Sequence, residues 1–320
     1  MRGALGWVPS SPPAVVDRPD RRRGGLDPRP QNGDDEMSDA TETTTITPIA
    51  QDLDGVRVTP SLKTALLVFA GYLLVVVAAG QLLAGDASFS DVAASAENTR
   101  DLVALPVGCA AIYLTVVATV LGWWRPAMLE PRRRVALPRW LWVVPVLAIV
   151  APLADVARSE HRGDFTTSHW WWLIVAMALV GYSEELMTRG LLLTGMRAEW
   201  IEKRVLLGTT LLFAVMHGLN AFGGQDILTT IRQILGVIPL AIMFYVVRRI
   251  TGSLVWSMLV HALVDFSLIV FGGTTSTLNQ LDVTGRRPYG VGIPLLIAII
   301  GLIKYRNLFF SGNADAPDPQ

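Results

Sequence analysis

Residues 65–83 read ALLVFAGYLLVVVAAGQLL, and this stretch decides what kind of protein the chain is. It contains no charged side chain. At 1.5 Å per residue it reaches roughly 30 Å, the thickness of a bilayer's hydrocarbon core. A surface helix of a soluble domain would carry a polar face through such a run. A strand of a membrane barrel would alternate apolar and polar residues. Neither pattern occurs, so the stretch predicts a membrane-spanning helix.

Working outward, seven more apolar blocks of similar size follow. With the first they give eight predicted spans: Ala65–Leu83, Leu102–Trp123, Trp140–Ala157, His169–Leu193, Val205–Phe222, Ile231–Val247, Leu254–Phe271 and Val291–Leu308. The expected fold is therefore all-α, a polytopic transmembrane helix bundle. Composition agrees: 51% of the 320 residues are hydrophobic, 17% are charged, and mean hydropathy is +0.42. The net charge of zero points to neither nucleic acid nor an acidic partner. Cys109, the one cysteine, excludes an internal disulfide and a cysteine-based zinc cluster, and reads as a small packing residue.

The flanks are different material. Residues 1–60 are rich in Pro, Gly, Asp, Arg and Thr, and their composition predicts disorder. They hold no signal-peptide core, and Met37 offers an alternative start. Residues 61–310 form the expected membrane domain, and 311–320 a polar tail. Basic residues predict the orientation. Arg57, Lys63, Arg125, Arg132, Arg133, Arg134, Arg139, Arg197, Lys203, Arg204, Arg248, Arg249, Lys304 and Arg306 fall on one side, 14 against the 5 on the other (Arg100, Arg158, Arg162, Arg286 and Arg287). Both termini are thus expected in the cytoplasm. Trp123, Trp124, Trp140, Trp142 and Trp170 to Trp172 stand at span ends, as membrane-interface anchors do.

Ionisable groups at bilayer depth cost about 2.5–3.5 kcal/mol each and are functional candidates by default. The fourth span carries Glu184, Glu185 and Arg189, the fifth Phe213 and His217, the seventh His261 and Asp265. Glu185 and Arg189 are one helical turn apart, with the acid N-terminal to the base, the favoured order for an ion pair. Glu184 is rotated about 100° from Glu185 and faces elsewhere. Helical rise from the arginine-bearing ends puts Glu184, His217 and His261 at about 16, 20 and 14 Å, in one layer of the membrane. Such a layer suits water activation: a desolvated carboxylate can act as a base, and imidazoles can share that role, hold a metal or stabilise an oxyanion. No G-x-S-x-G or H-E-x-x-H motif is present.

Glu184-Glu185-x-x-x-Arg189, Phe213-x-x-x-His217 and His261-x-x-x-Asp265, in this order on three hydrophobic helices, resemble the motifs of the CPBP family. These are the CAAX proteases and bacteriocin-processing (Abi) proteins, among them the type II CAAX endopeptidase. The resemblance implies an intramembrane endopeptidase in which Glu184 activates water and His217 shares that water or ligates a metal. His261 and Asp265 would line the oxyanion or metal side, with Glu185 and Arg189 as a structural pair and Phe213 packed beside the site. The family admits a zinc metalloprotease reading, with ligands His217, His261, Glu184 and Asp265, and a metal-independent glutamate reading. Asp265 stands where asparagine is common, which strengthens the metal reading and weakens an amide oxyanion donor. The implied setting is a prokaryotic cell membrane, with membrane lipid and a membrane-associated peptide or protein as partners.

Two other readings share these residues: a proton-coupled transporter, and a non-catalytic membrane scaffold or immunity factor. His161 and His169 are expected to have no catalytic part. Asp155, Asn220 and Arg232 read as interfacial, Trp170 to Trp172 as a membrane anchor, and Arg132 to Arg134 as a topology signal.

Overall fold

The structure is a computed structural model that describes residues 53–83, 85, 87–130, 137–275 and 292–310. Most of the predicted N-terminal disordered segment with Met37, the Arg132–Arg134 cluster, Arg286, Arg287, Val291 and the C-terminal tail lie outside the described residues. Within them the fold is all-helical, with one isolated bridge between Leu129 and Ser253.

The long helices are α1 (Leu62–Leu83), α2 (Ala96–Leu121), α3 (Arg139–Arg158), α4 (residues 167–197), α5 (Glu202–Gly223), α6 (Ile227–Thr251), α7 (Leu254–Gly272) and α8 (Gly292–Lys304). Six of them, α1, α2, α3, α5, α6 and α7, are long and apolar enough to cross a membrane. The count of eight predicted spans is not met on those terms. α4 carries Glu184, Glu185, Arg189 and Arg197, and α8 has 13 residues before a break and the short helix Arg306–Phe310. Several helices begin earlier than the apolar runs, because charged or polar first-turn residues such as Glu202 are helical too.

Burial is arranged inside out relative to a soluble domain. Leu67, Leu74, Ile112, Val116, Val215 and Leu235 are exposed on the outer faces, whereas Glu185, Arg189 and Arg248 are fully buried. Apolar side chains in such a shell need lipid, and ionisable groups inside need one another. Some single-residue expectations fail accordingly. Trp123 is fully buried, with Nε1 donating to the Val58 carbonyl at 2.6 Å, so it is core and not an interface anchor. Cys109 is exposed on the outer face of α2 and does not pack inside.

Local chemistry sets the helix ends near the site. Asp226 caps α6 by accepting from the Thr229 amide at 3.0 Å. Gly252, at φ +73°, ends α6 in a left-handed turn that sends the chain straight back into α7. α4 packs extensively against both α2 and α7. A Cβ on Gly181 would stand 2.4 Å from the Met258 carbonyl oxygen, so glycine there allows this approach.

Candidate active site

α4 is not a uniform helix. Its α-helical part ends at Glu185, and residues 186–192 form a wider π-helical turn before α geometry resumes at Leu193. Turns of this kind concentrate at functional sites. The Thr188 hydroxyl donates to the Glu184 carbonyl at 2.6 Å, and the Arg248 guanidinium donates to the Arg189 carbonyl. Backbone groups on either side of the turn are thereby held.

Around that turn the three sequence motifs converge. Glu184 Oε2 lies 4.0 Å from His217 Nε2 and 3.8 Å from His261 Nε2. His261 Nε2 is also 3.3 Å from Asp265 Oδ2, and its Nδ1 is 3.1 Å from Glu185 Oε1. Arg189 Nη1 donates to the same Glu185 oxygen at 2.8 Å, the ion pair expected one turn apart. The two acids are not on wholly separate faces, however: Glu184 and Glu185 approach opposite nitrogens of one imidazole.

His217 closes α5 at the point where it tightens into a 3₁₀ turn, residues 217–223. Its Nδ1 lies 2.8 Å from the Phe213 carbonyl, a geometry in which Nδ1–H donates and Nε2 keeps its lone pair toward Glu184. Phe213 is fully buried where these groups meet. Its ring lies edge-on to His217 at 4.9 Å and to His261 at 5.7 Å, and under the Arg189 guanidinium at 4.1 Å. Phe244 of α6, which no pattern in one sequence singles out, stacks on the His261 ring at 4.6 Å and 19°. His261 is thus fixed by two carboxylates in its plane and an aromatic face.

Glu184, His217, His261 and Asp265 border a cavity of about 580 Å³ walled mostly by apolar side chains of α1, α2, α5, α6 and α7. The Glu184 side chain is 15% exposed, yet its Oε2 is buried and has no hydrogen-bond partner among the described residues. Glu185 Oε2 and Arg189 Nη2 are in the same condition. Buried polar atoms without partners are uncommon, and beside a cavity they can be met by a bound water or substrate group.

Zinc is a poor match for these donors as placed. A tetrahedral zinc holds nitrogen and oxygen ligands at about 2.0–2.2 Å, hence about 3.3–3.6 Å from one another. The two histidine nitrogens stand farther than that from Glu184 Oε2, and both nitrogens of His261 already face carboxylates. Among the described residues no group of three or more His, Cys, Asp or Glu side chains is placed to hold a metal ion.

The remaining candidates fall as follows. His161 is exposed and pairs with Asp164 at 2.9 Å. His169 is a core residue beside Phe165, 3.2 Å from the Thr99 hydroxyl. Trp171 is exposed, as an anchor would be. Asp155 and Asn220 both line the cavity, Asp155 paired with Arg158 and Asn220 bonded to Gln233.

Residues 166–267, which include all three motifs, match a family model described as Rce1-like, type II CAAX prenyl endopeptidase. No curated protein and no solved structure matches the chain.

Proposed function

Taking as premise that the chain belongs to the CPBP/CAAX-protease family through its residues 166–267, a membrane peptidase lineage, we propose that it hydrolyses a peptide bond by a metal-independent, glutamate-based mechanism. One observation carries this reading: the buried, unpartnered Glu184 oxygen facing two histidine nitrogens across a cavity. Distances of 3.8 and 4.0 Å are too long for direct hydrogen bonds, and a water can sit against Glu184 and His217 together.

The chemistry balances without another reagent. Glu184 takes a proton from that water as its oxygen attacks the scissile carbonyl carbon. His217 Nε2 accepts the water's second hydrogen as a hydrogen bond and orients the attack. Negative charge develops on the former carbonyl oxygen, and His261, oriented through Nδ1 by Glu185 and by the Phe244 ring, shares its Nε2–H between Asp265 and that oxygen. As the C–N bond breaks, Glu184 returns its proton to the leaving amine.

The substrate we propose is the carboxyl-terminal segment of a membrane-anchored protein or peptide, of the prenylated CAAX kind that the matching family model's description names. A mostly apolar cavity inside a membrane helix bundle suits such a substrate. We further assign the arginine-bearing helix ends to the cytoplasm, which puts both termini there.

The test uses purified protein in detergent micelles and a quenched-fluorescent, farnesylated CAAX peptide. Cleavage is expected in the wild type, to persist in EDTA, and to vanish in Glu184→Gln. Undiminished cleavage by Glu184→Gln would sink the mechanism. Loss in EDTA with recovery on added zinc would overturn its metal independence.

A further inference from the structure

Three carboxamides meet at the wall of the same cavity. Asn220 Nδ2 donates to Gln233 Oε1 at 2.8 Å, and Gln225 Nε2 donates to the same oxygen at 3.3 Å. Gln225 and Gln233 are 3% and 5% exposed, and Gln225 Oε1 has no hydrogen-bond partner among the described residues. Asn220 and Gln233 line the cavity together with His217.

Local fold fixes where this trio stands. Residues 217–223 form a 3₁₀ turn, in which side chains three apart eclipse one another. Asn220 is therefore in line with His217, about 6 Å farther along the axis at roughly 2.0 Å per residue. An extended peptide advances about 3.3 Å per residue, so the offset corresponds to about two residues of substrate. Gln233 comes from the start of α6, whose beginning Asp226 caps.

We propose that Asn220 and Gln233, braced by Gln225, form a subsite that binds the substrate's peptide backbone about two residues from the bond that is cut. The proposal rests on the endopeptidase reading above. A peptide attacked at membrane depth must be extended, and its bare N–H and C=O groups then need partners that lipid cannot supply. A carboxamide offers a donor and an acceptor in one plane, the same pair a peptide bond presents. Gln233 enters both of its bonds through Oε1, which leaves the donors of Nε2 for a substrate carbonyl. The trio is also neutral, so it adds no charge beside Glu184. Contacts to backbone do not read side chains, so this subsite confers register on the substrate and little sequence preference.

The test pairs backbone and protein changes. The farnesylated CAAX peptide is compared with depsipeptides in which one backbone N–H, two residues to either side of the cleaved bond, is replaced by an ester oxygen. Wild-type cleavage should show a 5- to 10-fold higher KM for one depsipeptide, with kcat little changed. Asn220→Ala and Gln233→Ala should raise KM of the ordinary peptide about 5-fold, and the ester should then add no further penalty. Asn220→Thr and Gln233→Met, closer in volume, serve if the alanine variants do not fold. Binding of the same peptides to Glu184→Gln, read by fluorescence polarisation, separates this subsite from catalysis. An equal ester penalty in wild type and variants, or variants that bind both peptides like the wild type, overturns the subsite while leaving the protease reading intact. Binding with the ester penalty but no cleavage by the wild type does the reverse.

Discussion

Two clusters of buried ionisable side chains lie along α4, one at its middle around Glu184 and one at its C-terminal end. At its C-terminal end, Glu130 receives Arg248 Nε at 2.7 Å, Arg249 Nη1 at 2.5 Å and Arg197 at 3.2 Å. Arg197 also holds Glu202 at 2.6 and 2.9 Å, and the Tyr245 hydroxyl adds a third bond there at 2.6 Å. Spare Arg248 donors go to the carbonyls of Ala127 and Arg189. Every carboxylate oxygen in this cluster is engaged, and among the described residues Arg249 Nε is its one unpartnered buried atom. The motif cluster around Glu184 also pairs carboxylates with arginine, yet among the described residues Glu184 Oε2, Glu185 Oε2 and Arg189 Nη2 are left unpartnered beside a cavity. A saturated network can only hold helices together. An unsaturated one next to space can bind and transform something.

The largest effect that sharpens this contrast is kinetic. Glu184→Gln should lower kcat by about 10²–10⁴-fold, the usual worth of a positioned proton-transfer group. Its melting temperature in detergent should not fall, since the change removes a buried charge that has no hydrogen-bond partner on Oε2. A marked loss of stability would mean that Glu184 is structural and would erase the distinction between the clusters.

Glu130→Ala is the mirror experiment. It strands Arg197, Arg248 and Arg249 without their shared carboxylate, and breaking a buried ion pair costs about 3–5 kcal/mol. Denaturant melts should show that loss, while the protein still folded keeps its kcat. A smaller and mixed response is expected of Glu185→Gln, because Glu185 Oε1 serves both Arg189 and His261. Weakening hydrogen bonds to a charged partner costs about 1.5–3 kcal/mol. Activity should drop as well, since His261 loses the carboxylate that orients it. Stability loss with unchanged kcat would remove Glu185 from the catalytic side.

The motif cluster was legible in the sequence and the saturated one was not. Glu184, His217 and His261 stand out because charge and imidazole interrupt long apolar runs, and helical rise puts them at similar depth. Arg197, Arg248 and Arg249 stand at span ends, where basic residues are ordinary topology signals, and nothing in a linear pattern pairs them with Glu130 or Glu202. Phe244 was hidden for the opposite reason, one aromatic among many apolar neighbours. Asn220 near a helix end reads as interfacial, and Gln233 is a neutral amide that no pattern singles out. Only packing shows that they share a cavity wall with His217.

The finest discrimination comes from acid. Glu130 lies between spans; burial by itself would raise its pKa, but Arg197, Arg249 and Arg248 outweigh that and hold it well below the ordinary 4.5. A carboxyl lowered by folding adds stability that is complete above its unfolded value and fades as pH drops toward the folded one. Wild-type stability should therefore be flat on this account from pH 7 to about 5 and decline below 4.5. Glu130→Gln, less stable throughout, should lack that part of the decline, so the two melting curves converge in acid. Parallel curves down to pH 4 would show that the arginines do not hold Glu130 ionised, and the cluster at the end of α4 would lose its claim to be an electrostatic lock.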